Sequence, residues 1–388
     1  MRLISSACSL IYAIIITGCC SEIQTPDSSI EDNGNLVLEN DRLYLQVKID
    51  TSHVKMLFDS GCLVGCIISD SLANKALYDK EIAYHPSGYG QVEADSIFVS
   101  GYQYSNTDVF VYKNFDYSLI APDYKDDRNV WSFNLDSFLF SMRDSSRIKD
   151  GIQVPIVFSL REGQRSAPFV KLPLTLCSQG DTLETSYYYL LDTGTPTAFA
   201  VTDPPKELSD FISRHPHMEY LDEFSDKIKN RRVIQFYPDL IFKGIRMEGA
   251  KCVVDTGMRS MQSDYKRKLP QDDAPIVGTI GLRFLKHFNF DIDLAGCILH
   301  LEKCHREFPS KPQNVYDFWC NPDGRIRRIG IGSPACKVGL AVGDCVISIN
   351  GIPWSELRKA DIDSLSTLSD TVRVSMEDGR SILLQGQK

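Results

Sequence analysis

The sequence predicts a mostly β chain in which one lobe is duplicated and a smaller α+β domain follows. Three observations carry this expectation. Short alternating apolar runs, separated by Gly, Asp and Asn, fill the chain from about Leu36 to Lys303, the pattern of strands with one buried face. A strand-turn-strand passage leading into Asp-Ser/Thr-Gly occurs twice, as LYLQVKIDTSHVKMLFDSG and VKLPLTLCSQGDTLETSYYYLLDTG; its aspartates fall at 59 and 192, an offset of 133 residues. From about Asn314 the pattern changes: SPACKVGL has a Ser cap and a Pro in its first turn, and Asn350-Gly351 reads as a hairpin turn.

The first element is a leader. Arg2 precedes LISSACSLIYAIIITG, an apolar run of signal-peptide length, too short for a membrane span. Ile16-Thr17-Gly18-Cys19 resembles a bacterial lipobox, which implies a signal peptide over 1–18 and a lipid on Cys19. The alternative is an ordinary secretory signal with Cys19 incidental. SEIQTPDSSIEDNGN then reads as a flexible tether over 19–35. Acyl chains would hold the protein to a membrane of the bacterial envelope, on the outer membrane or the periplasmic face.

Two lobes are expected next, over 36–160 and 161–306. Helical patterns there are brief, SDSLANKALYD after the first Asp turn and PPKELSDFISRH after the second. A net charge of −9 argues against nucleic acid as a partner, because phosphate binding wants a basic face. The twelve cysteines lie mostly in apolar runs and read as small buried hydrophobes. Cys62 and Cys66 form a C-x3-C pair without a second half, and His215 and His217 lack partnered ligands, so neither metal nor other cofactor is expected.

The hydrophobic entry into Asp-Thr/Ser-Gly, followed by GTIGLRFLKHFNFDIDLAGCILHLEK, resembles the retropepsin- and pepsin-like aspartyl peptidases over roughly residues 40–305. The resemblance implies a bilobal fold of acid-protease-like β barrels and a catalytic pair of carboxylates, one from each lobe. Two such groups close together cannot both ionise, so they share one proton; one draws a proton from water while the other donates to the scissile carbonyl. Ser60 and Thr193 would hold the turns in register, Gly61 and Gly194 would let each backbone turn tightly, and Gly281 would close the returning strand.

Three tripeptides compete for the pair: Asp59-Ser60-Gly61, Asp192-Thr193-Gly194 and Asp255-Thr256-Gly257. Between Asp192 and Gly281 lie enough residues for a lobe; between Asp255 and Gly281 there are not. Asp59 and Asp192 are therefore the candidates, and Asp255 reads as the end of the ordinary strand KCVV. Lobe one departs from the family twice. Cys62 follows Gly61 where Ala, Ser or Thr is usual, and no glycine occurs between Gly101 and Gly151 to mark a return. LDSFLFSM, at 135–142, is the segment expected to serve as a degenerate return. SGYGQVEADS, at 87–96, stands where a flap hairpin would be, with Tyr89 as the residue to close over substrate; a plain loop is the alternative.

The last element, 307–388, resembles a bacterial PDZ domain through Ser333-Pro334-Ala335, Gly339-Leu340, Gly343-Asp344 and Ile349-Asn350-Gly351. This implies peptide binding by strand addition near Tyr316-Asp317-Phe318-Trp319, with buttressing of the lobes as the alternative. The function expected from the whole is a lipid-anchored aspartic endopeptidase acting on peptide or protein; a non-cutting peptide binder is the competing reading. Oligomeric state is left open.

Overall fold

The computed structural model describes residues 36–39, 41–62, 65–85, 89–100, 102–112, 118–122, 124, 129–161, 163–202, 204–222, 231–255, 269, 274–308, 316–357 and 371–385. Cys19 lies outside them, as do residues 358–370.

Both lobes begin with a long hairpin closed by a two-residue turn. In lobe one Arg42–Ile49 pairs antiparallel with Ser52–Phe58, and Asp50 in the turn adopts φ 49°. In lobe two Gln164–Ser178 pairs with Asp181–Leu191, and Gln179 and Gly180 adopt φ 49° and 85°. Positive φ at the turn matches the right-handed twist of the flanking strands.

The duplication extends through the whole sheet. In lobe one the neighbours run Arg42–Ile49, Ser52–Phe58, Leu119–Ile120, Cys66–Ser69, Tyr102–Tyr112, Tyr89–Val99 and Ala83–Tyr84. In lobe two they run Gln164–Ser178, Asp181–Leu191, Ile276–Ile280, Phe199–Val201, Cys252–Asp255, Arg231–Phe236 and His217–Asp222. Each step has the same sense in both lobes, including the parallel step onto the returning strand. A helix follows the fourth strand each time, at Asp70–Ala76 and Lys206–Arg214. The protein is mostly β, with two acid-protease-like lobes.

This register corrects the expected return of lobe one. The returning strand is Leu119–Ile120, paired Leu57↔Leu119 and Phe58↔Ile120, as Leu190↔Thr279 and Leu191↔Ile280 pair in lobe two. Ala121 takes the place of Gly281: its N–H donates to Gly65 O at 2.8 Å, as that of Gly281 donates to Ala198 O at 2.9 Å. In lobe two a Cβ at Gly281 would stand 2.4 Å from Thr197 O, so only glycine fits there; lobe one accepts Ala121, which is buried.

LDSFLFSM belongs to a different element. Val130–Asn134 and Leu139–Arg143 form a hairpin, and so do Phe288–Asp293 and Ile298–Lys303. The two hairpins pair through Phe290↔Phe133 and Ile292↔Trp131 in a sheet joining the lobes, with Phe133 and Phe290 stacked at 4.6 Å. One apolar core containing Phe58, Trp131, Phe133, Phe236, Phe284 and Phe290 runs through both lobes. Residues 130–161 thus form a shared floor rather than the tail of lobe one.

The last domain has its own core around Tyr316, Phe318, Ile326, Ile329 and Val374. Its helix Pro334–Lys337 is capped by Ser333, whose Oγ accepts from Cys336 N at 3.2 Å. Asn350 and Gly351, at φ 51° and 82°, turn Val346–Ile349 into Ile352–Pro353. Its strand Ile326–Gly330 also joins the lobe-two sheet, pairing with His217–Asp222 through Leu221↔Ile329. The strand it joins is the lobe-two counterpart of Ala83–Tyr84, the outer arm of the expected flap.

Candidate active site

Each of the two Asp turns is fixed by the strand that enters it and the strand that returns beneath it. Asp59 N donates to Ile120 O and Asp192 N to Ile280 O, both at 3.0 Å. The tight turns then repeat, Cys62 N donating to Asp59 O at 3.1 Å and Thr195 N to Asp192 O at 3.2 Å. Entry strand, turn and return are thus the same device used twice.

The two turns meet tip to tip. Ser60 N donates to Thr193 Oγ1 at 2.9 Å and Thr193 N to Ser60 Oγ at 3.0 Å. Each hydroxyl then donates across the interface, Ser60 Oγ to Leu191 O and Thr193 Oγ1 to Phe58 O, both at 3.0 Å. These four bonds are buried and reciprocal, so neither lobe can move its turn without breaking bonds of the other.

The glycines show how closely the carboxyls approach. A Cβ at Gly61 would stand 2.8 Å from Cγ of Asp192, and one at Gly194 would stand 2.6 Å from Cγ of Asp59. Any side chain at either position would overlap the opposing carboxyl. Asp59 and Asp192 therefore face one another across the lobe interface, and both are fully buried. Asp255 is placed elsewhere: it ends Cys252–Asp255 opposite Val233, at the sheet position that Tyr112 holds in lobe one.

The surroundings of the two carboxyls differ. Asp192 accepts from Thr195 N at 3.1 Å on Oδ1 and from Thr195 Oγ1 at 2.7 Å on Oδ2. Asp59 accepts from Gly61 N at 2.9 Å on Oδ1, while its buried Oδ2 receives no donor. Burial, and next the negative charge of Asp192, push the Asp59 carboxyl well above the usual carboxylate range. Burial also raises Asp192, against the opposing pull of the Thr195 hydroxyl. Two ionised carboxyls facing one another are acceptors alone, and can bond only by holding a proton between them.

Thr195 and Tyr124 are the two contributors to the site that sequence reading passed over. Tyr124 Oη donates to Ser60 O at 2.6 Å, bracing the first turn from the segment after the return. Thr195 carries a usable signal, since the 133-residue offset sets it against Cys62. Tyr124 carries none, because Phe284 holds the corresponding place in lobe two.

Tyr89 lies on Tyr89–Val99, the inner arm of the hairpin with Ala83–Tyr84. Its ring is buried, 5.1 Å from His85 and 5.9 Å from Tyr112, so it packs within its own lobe.

In the last domain, Tyr316 and Phe318 are core residues. Trp319 meets lobe-two Tyr220 edge to face at 5.2 Å. Asp317 is left-handed at φ 54°, and its carbonyl accepts from Gly330 N at 2.7 Å. Burial raises the Asp317 carboxyl to about 6. These side chains are thus committed to packing; what Phe318–Cys320 presents is the last edge of the sheet. Among the described residues no group of three or more His, Cys, Asp or Glu side chains is placed to hold a metal ion.

Comparisons with known proteins bear on the two parts separately. Residues 325–368 match the family model described as PDZ domain. Among solved structures, the chain is similar to a retropepsin-like aspartic protease from Rickettsia conorii, at 14% identity and a TM-score of 0.20, covering 24% of this chain and 74% of that one. It is also similar to the aspartic proteinase from Irpex lacteus, at 10% identity and a TM-score of 0.41, covering 70% of this chain and 97% of that one. No curated protein matches. The assignment of the lobes rests on their repeated topology and reciprocal turns rather than on these scores.

Proposed function

We propose that the protein is an aspartic endopeptidase in which Asp59 and Asp192 activate water against a peptide bond. The observation that carries this reading is the reciprocal pairing of the two Asp turns, which buries two carboxyls face to face. Such a pair holds one proton over the working pH range. The ionised member takes a proton from water as its oxygen adds to the scissile carbonyl, and the protonated member gives its proton to the carbonyl oxygen. When the tetrahedral diol collapses, the leaving amine takes the first proton and the second returns. Each residue recovers its starting state without a covalent intermediate.

The absence of a glycine from the lobe-one return favoured a binder that does not cut. Ala121 stands in that return in place of glycine, and the Asp59 main chain is held by the same bonds as that of Asp192, which supports the cutting reading. Phe318–Cys320 ends the sheet order among the described residues, and an extended peptide added there as a further strand would hold a protein substrate at a second point. We further propose that lipid on Cys19 holds the protein in the bacterial envelope. Mass spectrometry of the mature N-terminus should find an acylated cysteine; a soluble chain beginning elsewhere would overturn it.

The test of the activity is cleavage of a peptide library by the purified soluble part across a pH series. Cutting that falls away as pH rises, once the shared proton is lost, is the expected result. Cutting at no pH would leave the peptide-binding reading in its place.

A further inference from the structure

The two turns share their main-chain closure and their reciprocal bonds, but their carboxyls are held differently. Thr195, third after Asp192, donates from N to the main-chain oxygen and from Oγ1 to Oδ2 of its aspartate. Cys62, third after Asp59, makes the first of these bonds at 3.1 Å, but brings a thiol where Thr195 brings a hydroxyl. A thiol is a weak donor. The Asp59 Oδ2 is correspondingly the carboxyl oxygen of the pair that is buried with no donor.

A buried carboxylate oxygen without a donor is expensive as an anion and much less so as a hydroxyl. The titratable groups on the elements around Asp59 are Asp192, from the opposite turn, Cys62, from its own, and Tyr124, whose Oη donates to Ser60 O at 2.6 Å. Ser60, Gly61, Thr193 and Gly194 carry no charge, and the return Leu119–Ile120 brings no ionisable side chain.

Building on the paired-carboxyl reading, we propose that Cys62 divides the roles of the pair, so that Asp59 carries the proton given to the substrate carbonyl and Asp192 is the carboxylate that takes one from water. Cys62 acts here as a positioning residue: it withholds a bond from Asp59 that Thr195 supplies to Asp192. Burial raises both carboxyls; main-chain N–H groups pull each one back, and Asp192 has the Thr195 hydroxyl in addition.

The assignment makes the two substitutions act on different ionisations. Cys62→Thr supplies Asp59 with a donor, stabilising it only when it ionises, which is the second loss of a proton from the pair. The alkaline limb of the activity profile should move down by about one pH unit or more, the acid limb staying in place. Thr195→Val removes the donor from Asp192, which ionises first, so the acid limb should move up by a similar amount while the alkaline limb stays.

The deciding measurement is a ¹³C-carboxyl NMR titration of aspartate-labelled protein, because it reads both groups whether or not the chain cuts peptide. Asp59→Asn and Asp192→Asn assign the two signals. The expected result is that Asp192 ionises first in the wild type and that Cys62→Thr lowers the Asp59 step. Cys62→Ser, with its smaller side chain, is the second variant if threonine disturbs the turn. Asp59 ionising first, both signals moving together, or Cys62→Thr and Cys62→Ser shifting only the first step would each overturn the assignment. Loss of peptide cutting with the titration intact would remove the peptidase reading, and the two roles with it, and leave only the order of ionisation standing.

Discussion

Thr193→Val removes a hydroxyl while keeping the side-chain shape, so it isolates the bonds that join the two lobes at their turns. Thr193 Oγ1 accepts from Ser60 N at 2.9 Å and donates to Phe58 O at 3.0 Å, and both partners lie in buried surroundings. Valine leaves a buried N–H and a buried C=O without these bonds. Each such group costs about 1–3 kcal/mol, so the substitution is expected to destabilise the lobes by about 3 kcal/mol. For a unit of this size that corresponds to a fall in Tm of roughly 6–12 °C. Ser60→Ala breaks the matching bonds to Thr193 N and Leu191 O. Because the two hydroxyls serve one network, the double variant should lose less than the sum of the singles. Thermal melts of the four proteins, followed by calorimetry, read both the size and the coupling. A Thr193→Val loss within about 0.5 kcal/mol, or strict additivity, would refute the view that the turns are locked by these bonds.

Two further outcomes follow from burial and from the sheet. Asp59 is pushed up by burial and by Asp192, and a carboxyl raised in the folded state stabilises below its unfolded pKa of about 4 and loses that contribution as pH rises. Asp59→Asn should therefore raise Tm at pH 7 by roughly 2–6 °C, with the gain shrinking below about pH 4; a variant that melts lower than wild type at pH 7 would contradict this. Trp319→Ala removes the ring against Tyr220 and should speed amide exchange in His217–Asp222 while leaving Ser52–Phe58 unchanged. Unaltered protection in His217–Asp222 would mean that the last domain does not brace that strand.

The two Asp turns were legible because their signal is local. An apolar strand must deliver Asp-Ser/Thr-Gly into a tight turn, and both copies keep the strand-turn-strand entry that precedes it. Asp255 could be set aside by chain length alone, and the structure places it on a separate strand. The return of lobe one was not legible. It is two residues long, and Ala121 replaces the glycine that would have marked it. LDSFLFSM was misplaced because a hairpin of the shared floor and a returning strand have the same alternation of apolar residues. The seating of the PDZ strand on His217–Asp222 is made chiefly by main-chain pairing, which leaves almost no side-chain pattern to read. Trp319 and Tyr220 mark it only once they are seen together.

The central claim is that Asp59 and Asp192 work as one pair and that Asp255 does not. It is tested most directly by peptide hydrolysis with the three asparagine variants, each first shown by its melt to be folded. An amide cannot share the proton, so Asp59→Asn and Asp192→Asn should each abolish turnover, while Asp255→Asn should stay within a few-fold of wild type. Full activity in Asp59→Asn would contradict the pairing and point to lobe two acting with a second copy of itself. Loss of activity in Asp255→Asn without loss of stability would contradict the choice of turns.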